Sequence, residues 1–133
     1  MKHILLTVLL VFAFTNQTFA WDNLCSNAGP YVNATTTKIA DFASNNAMRN
    51  YEGSGRVRDI LSGSLTSTYR VVIDCGNNVL ISVPTSSSRA SSNLKIGDTV
   101  SFSGPLTGID RKRYVDNQKW FLMAYLNDDS TVK

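Results

Sequence analysis

Between residues 69 and 83 the apolar side chains recur at every second position. Tyr69, Val71, Ile73 and Cys75 alternate with Arg70, Val72 and Asp74. Gly76-Asn77-Asn78 interrupts, and Val79, Ile81 and Val83 then resume the alternation before Pro84. A period of two belongs to an extended chain, and glycine followed by two asparagines supplies the positive-φ residues of a tight reversal. This stretch therefore predicts an antiparallel hairpin with one buried face, stopped by Pro84, which has no N–H to donate to a ladder. Two strands alone bury too little to be stable, so the rest of the chain has to supply more of the sheet.

Three further segments qualify. Arg56-Val57-Arg58-Asp59-Ile60-Leu61 reads as a strand ended by Ser62-Gly63-Ser64. Leu94-Lys95-Ile96-Gly97-Asp98 reads as a turn into Thr99 to Gly104, where Val100 and Phe102 point inward. Lys119-Trp120-Phe121 to Leu126 makes the last strand, apolar on both faces: Trp120 shares its parity with Leu122, and Phe121 with Met123 and Tyr125. One of those faces is expected to meet the helix or a partner. Upstream, Trp21 to Asn33 reads as loop. Thr35 to Thr37 caps a helix with Ile39, Phe42, Ala43, Ala47 and Tyr51 on one face, broken by Gly53-Ser54-Gly55. The serine-rich run from Thr85 to Asn93 is a loop or short helix, Gly108 to Asn117 is a polar connection, and Asn127 to Lys133 is a frayed tail.

A helix, three strands, a connector and two strands is the order of an OB-fold. The expected class is all-β with a leading helix, a five-stranded OB-fold Greek-key barrel. The divisions are a signal peptide at 1–20, an N-terminal segment and helix at 21–52, the barrel at 53–127 and a tail at 128–133.

The first twenty residues carry the export reading. Lys2 and His3 precede an apolar run from Ile4 to Phe14, too short to anchor in a bilayer, and Thr18-Phe19-Ala20 has the small residues of a cleavage site. Cleavage before Trp21 would leave 113 of the 133 residues, with 12 basic side chains against 10 acidic. It would also remove His3, the only histidine, and with it any imidazole acid–base step or histidine-ligated zinc. Cys25 and Cys75 are the only cysteines, and an even count in an oxidising compartment favours a disulfide between them. The expected location is the periplasm, or outside the cell.

A longer phrase is more specific. Asn46-Ala47-Met48-Arg49-Asn50-Tyr51-Glu52-Gly53-Ser54-Gly55-Arg56-Val57-Arg58-Asp59-Ile60 resembles the opening of the tRNA_anti-like family of small exported bacterial OB-fold proteins. In that family a helix ends in an Asn-Ala and tyrosine phrase, and a Gly-x-Val-x-x-Ile first strand follows. The resemblance covers roughly Asp41 to Leu126 and implies the fold rather than an activity.

Binding residues follow from the OB-fold reading. Arg111-Lys112-Arg113-Tyr114 falls between the fourth and fifth strands, beside the usual binding face of such barrels. Arg56, Arg58 and Arg70 extend the patch, with Tyr69 and Trp120 as possible stacking partners, although the parity of Tyr69 places it on the core side. Glu52 is the only glutamate, and Asp59 and Asp74, though on neighbouring strands, lack the further ligands of a metal or glycosidase site. Gly53-Ser54-Gly55 lacks the lysine and following helix of a phosphate loop. The expectation is a binding module without catalytic residues or cofactor, whose partner is a protein or an envelope glycan. The apolar faces of the last strand and an open barrel edge add self-association as a further reading. The alternatives are single-stranded nucleic acid, for which cations and flat side chains are the needed chemistry, and an inhibitor or immunity-type protein.

Overall fold

A computed structural model of the chain describes residues 21–62, 68–86, 94–113 and 119–133. The expected leader, most of the serine-rich connector and Tyr114 lie outside the described residues. In chain order the elements are β1 (Asp22–Asn23), α1 (Leu24–Ala28), a 3-10 turn (Gly29–Tyr31), α2 (Thr36–Asn45), β2 (Asn50–Ser62), β3 (Thr68–Gly76), β4 (Val79–Ser86), β5 (Thr99–Arg113), β6 (Trp120–Leu126) and β7 (Thr131–Val132). The fold is mostly β-sheet with two helices. No described helix is long and apolar enough to cross a membrane.

The alternating segment forms the expected hairpin. Val71 faces Val83 and Ile73 faces Ile81 across β3 and β4. The reversal is made by Gly76, Asn77 and Asn78, all at positive φ (85°, 55° and 67°), where glycine and asparagine are the least strained residues.

Pairing then runs β2–β3–β4–β6–β5 and returns to β2, so five strands form a closed ring, with β1 and β7 added beside β2 and β5. β4 and β6 are parallel, while the other ring pairs are antiparallel. Closure requires long strands that change neighbour midway. β2 pairs with β5 from Asn50 to Arg56 and with β3 from Arg56 to Ser62. Gly55 sits at the hand-over, where a Cβ would collide with the Asp74 carbonyl oxygen and come within 2.8 Å of Ile73. The glycines expected to break the chain instead let β2 run through. β5 behaves alike, pairing with β2 up to Pro105 and with β6 from Leu106, with a register shift before Gly108.

Inside the ring lie Val57, Val71, Ile73, Val79, Ile81, Val83, Val100, Phe102, Leu106, Leu122, Ala124 and Leu126, joined by Leu24, Ala28 and Ile39 from the N-terminal helices. Cys25 and Cys75 are disulfide-compatible, with Cα atoms 5.7 Å apart across a sequence separation of 50. A second buried cluster, Val72, Leu80, Phe121 and Met123 with Tyr125 against it, occupies the outer face of β3, β4 and β6. Both faces of the last strand are apolar because each meets its own cluster.

Several boundaries differ from the sequence reading. Residues 22–31 form β1, α1 and the 3-10 turn rather than loop. α2 begins after the expected cap, since Thr35 Oγ1 accepts the Lys38 N–H at 3.3 Å. It stops at Asn45, because the Met48 N–H donates to Leu106 O at 2.7 Å and β5 draws the chain into the sheet. Tyr51 therefore lies on β2, fully buried, and not on a helix face. The expected division between residues 52 and 53 falls inside β2. Pro84 lies within β4: pairing with β6 ends at Ser82, and past that point the strand needs ladder bonds on one side only. The expected connection from Gly108 is strand as far as Arg113, because β6 lies alongside to pair with it. The tail adds β7, with Val132 buried and facing Phe102.

Candidate functional site

Residues directly opposite on paired strands share a face of the sheet. Val72 and Leu80 belong to the outer cluster, and from them the outer face can be followed around the ring. Arg56 lies opposite Asp74, Asp59 opposite Val72 and Leu61 opposite Arg70. Asp74 lies opposite Leu80 and Val72 opposite Ser82. Leu80 and Ser82 neighbour Met123 and Tyr125, and Lys112 lies opposite Phe121. Arg58 is the extra residue at the register shift between Val57 and Asp59. The shift releases it from strict alternation, and its guanidinium reaches Asp74 at 3.4 Å.

The face has an apolar floor with cations laid over it. The Arg58 guanidinium carbon is 4.6 Å from the Phe121 ring centre, and Lys119 Nζ is 5.8 Å from the same ring. Arg70 lies 5.6 Å from the Tyr125 ring and donates to the Ser82 hydroxyl at 2.9 Å. That bond gives a partner to the hydroxyl of Ser82, a residue only 2% exposed. Ring quadrupoles attract cations at these separations, about 0.5–1 kcal/mol per contact at partly exposed sites. Charges are unevenly answered. Asp74 meets Arg58, and Asp110 lies 4.0 Å from Lys112. Asp59 accepts the Ile60 N–H. Arg56 and Arg70 have no carboxylate partner among the described residues, and Arg56 is exposed.

Arg56, Arg58 and Arg70, drawn from two strands, thus come together on one face. The basic run splits. Lys112 shares the outer face, whereas Arg111 has the inward parity of Ile109 and Leu122. At the end of β5 its guanidinium donates to the carbonyls of Val32 (3.3 Å) and Ala34 (3.1 Å), clasping the N-terminal segment. Arg113 lies 5.4 Å from the ring of Trp120, its cross-strand partner. Phe121, Tyr125 and Ser82 were not among the sequence candidates. The parity of Phe121, Met123 and Tyr125 marked an apolar face, but nothing local said that it lay outside a closed ring beneath arginines. Among the described residues no group of three or more histidine, cysteine or carboxylate side chains is placed to hold a metal ion.

No protein-family model matches the sequence, and no match is found among curated proteins.

Proposed function

We propose that this chain is an exported, non-catalytic OB-fold module of the tRNA_anti-like type. It would work in the periplasm or outside the cell and bind an acidic protein or envelope glycan through the outer face of β2, β3, β4 and β6. The strand order supports the fold assignment. β2, β3 and β4 pair in sequence, β5 returns beside β2 to make a Greek key, and β6 closes the ring. The apolar N-terminal run and the disulfide-compatible cysteines support export. The observation that carries the binding reading is the pair Arg56 and Arg70, on one face and without carboxylate partners among the described residues. Arg70 uses one donor on Ser82, and a guanidinium has five, so donors remain for a carboxylate or sulfate from outside.

Single-stranded nucleic acid would use the same cations together with exposed aromatic platforms. Phe121 is only 5% exposed and lies beneath Arg58, which speaks against its stacking on a base. A co-purification from the native envelope, run in parallel with the Arg56→Ser/Arg70→Ser variant, tests the proposal. The expected result is an acidic partner retained by the wild type and lost by the variant, with circular dichroism showing both proteins folded at the assay temperature. Equal retention by both proteins removes the outer face as the site. Tight binding of a (dT)15 oligonucleotide, with affinity falling steeply as salt rises, replaces the proposal with the nucleic-acid reading.

A further inference from the structure

The outer face is not the only candidate site. A groove of about 680 Å³ lies between the chain at 30–35 and α2. That volume falls within the usual range for small-ligand sites. Two aromatic rings line it: Tyr31 and Phe42, centroids 4.5 Å apart and tilted by 38°, both half-buried against the main core. Around them stand Asn33, Lys38, Asp41 and Asn45, all exposed, whose side chains have no hydrogen-bond or ion-pair partner among the described residues.

The walls are held from behind. Arg111 clasps the carbonyls of Val32 and Ala34 on one side. On the other, Asn46 Nδ2 donates to Phe42 O at 2.8 Å while its Oδ1 accepts from Arg49 at 3.2 Å. A recess braced in this way loses little entropy when it is filled, the condition for useful affinity from few contacts.

The lining selects a ligand chemistry. One ammonium and one carboxylate cancel, so neither anions nor cations are favoured. Two primary amides offer donors and acceptors together, which suits a molecule dense in hydroxyls. The aromatic surface suits the C–H face of a pyranose ring. We infer that this groove binds a neutral saccharide, with a sugar ring against Tyr31 and Phe42 and its hydroxyls bonded by Asn33, Asp41 and Asn45. The inference stands apart from the outer-face reading, since the two sites share no residue.

Titration of the ¹⁵N-labelled protein, expressed from the full chain, with triacetylchitotriose and with cellotriose tests it. Saturable shifts are expected at the side-chain amides of Asn33 and Asn45 and at the Phe42 backbone for at least one sugar. Asp41→Ala and Asn45→Ala, both at exposed positions, should each weaken binding about fivefold, the loss of roughly one hydrogen bond. The absence of saturable shifts up to about 20 mM of either sugar overturns the inference, being weaker than any specific site would show. Shifts confined to Arg58, Arg70 and Tyr125 overturn it too, as does binding that neither variant weakens.

Discussion

Tyr51 shows how a single residue changes meaning between sequence and fold. Its spacing from Ala47 suits a helix face, yet it lies on β2, fully buried, with the Arg49 guanidinium 5.6 Å from its ring. Its hydroxyl has no hydrogen-bond partner among the described residues. A buried, unpaired hydroxyl costs roughly 1–3 kcal/mol of lost hydration. Tyr51→Phe is therefore expected to match or exceed the wild type in stability, by up to about 1 kcal/mol, in urea unfolding. A loss of 1 kcal/mol or more would mean that the hydroxyl is bonded after all. Arg111 carries the opposite lesson. Within Asp110-Arg111-Lys112-Arg113 it reads as one of several solvated cations, but its place opposite Leu122 lets its guanidinium, though the residue stays exposed, reach the carbonyls of Val32 and Ala34. By contrast Val71, Ile73, Ile81, Val100 and Phe102 are buried as their alternation requires, because parity is a local property that any pairing preserves.

At the scale of elements, those whose limits are written in local chemistry were legible: the β3–β4 reversal, the Thr35 cap and the turn before β5. Those whose limits depend on a distant partner were not. β2 runs through Gly53-Ser54-Gly55 because β5 lies beside it, β5 continues to Arg113 because β6 does, and β7 exists because Phe102 and Ser103 are there to pair with. The Cys25–Cys75 pair ties α1 to β3, closing a loop of 50 residues. On loop entropy such a link contributes about 4 kcal/mol. The Cys25→Ala/Cys75→Ala variant should lose stability of that order in guanidinium unfolding under oxidising conditions. The wild type should lose a similar amount on reduction, and the variant none. A variant as stable as the oxidised wild type would show that the link constrains nothing in the unfolded chain.

Across the whole molecule, the N-terminal helices and the ring share one core: Leu24, Ala28 and Ile39 lie in the same cluster as Ile73 and Leu122. Such a body should unfold as a unit. Trp120 at the start of β6 and Trp21 beside β1 report from two different elements. Tryptophan fluorescence and far-ultraviolet circular dichroism are expected to give coincident thermal transitions, and separated midpoints would mean that the helical segment melts independently of the sheet. The candidate site belongs to this scale as well. Arg56, Arg58 and Arg70 were legible as cations on strands, but the placing of Arg58 over Phe121 and of Arg70 over Tyr125 depends on the β4–β6 pairing, which joins strands separated by more than thirty residues. The amino-acid order by itself determined the hairpin, the β-rich class of the fold and which side of β3, of β4 and of the start of β5 faces the main core, since backbone period and turn chemistry act between neighbours in the chain. Only the tertiary structure decided where β2 and β5 end, which arginines share a surface and which one serves as a clasp. Those depend on strand, hydrogen-bond and ring partners that closure of the sheet alone brings within reach.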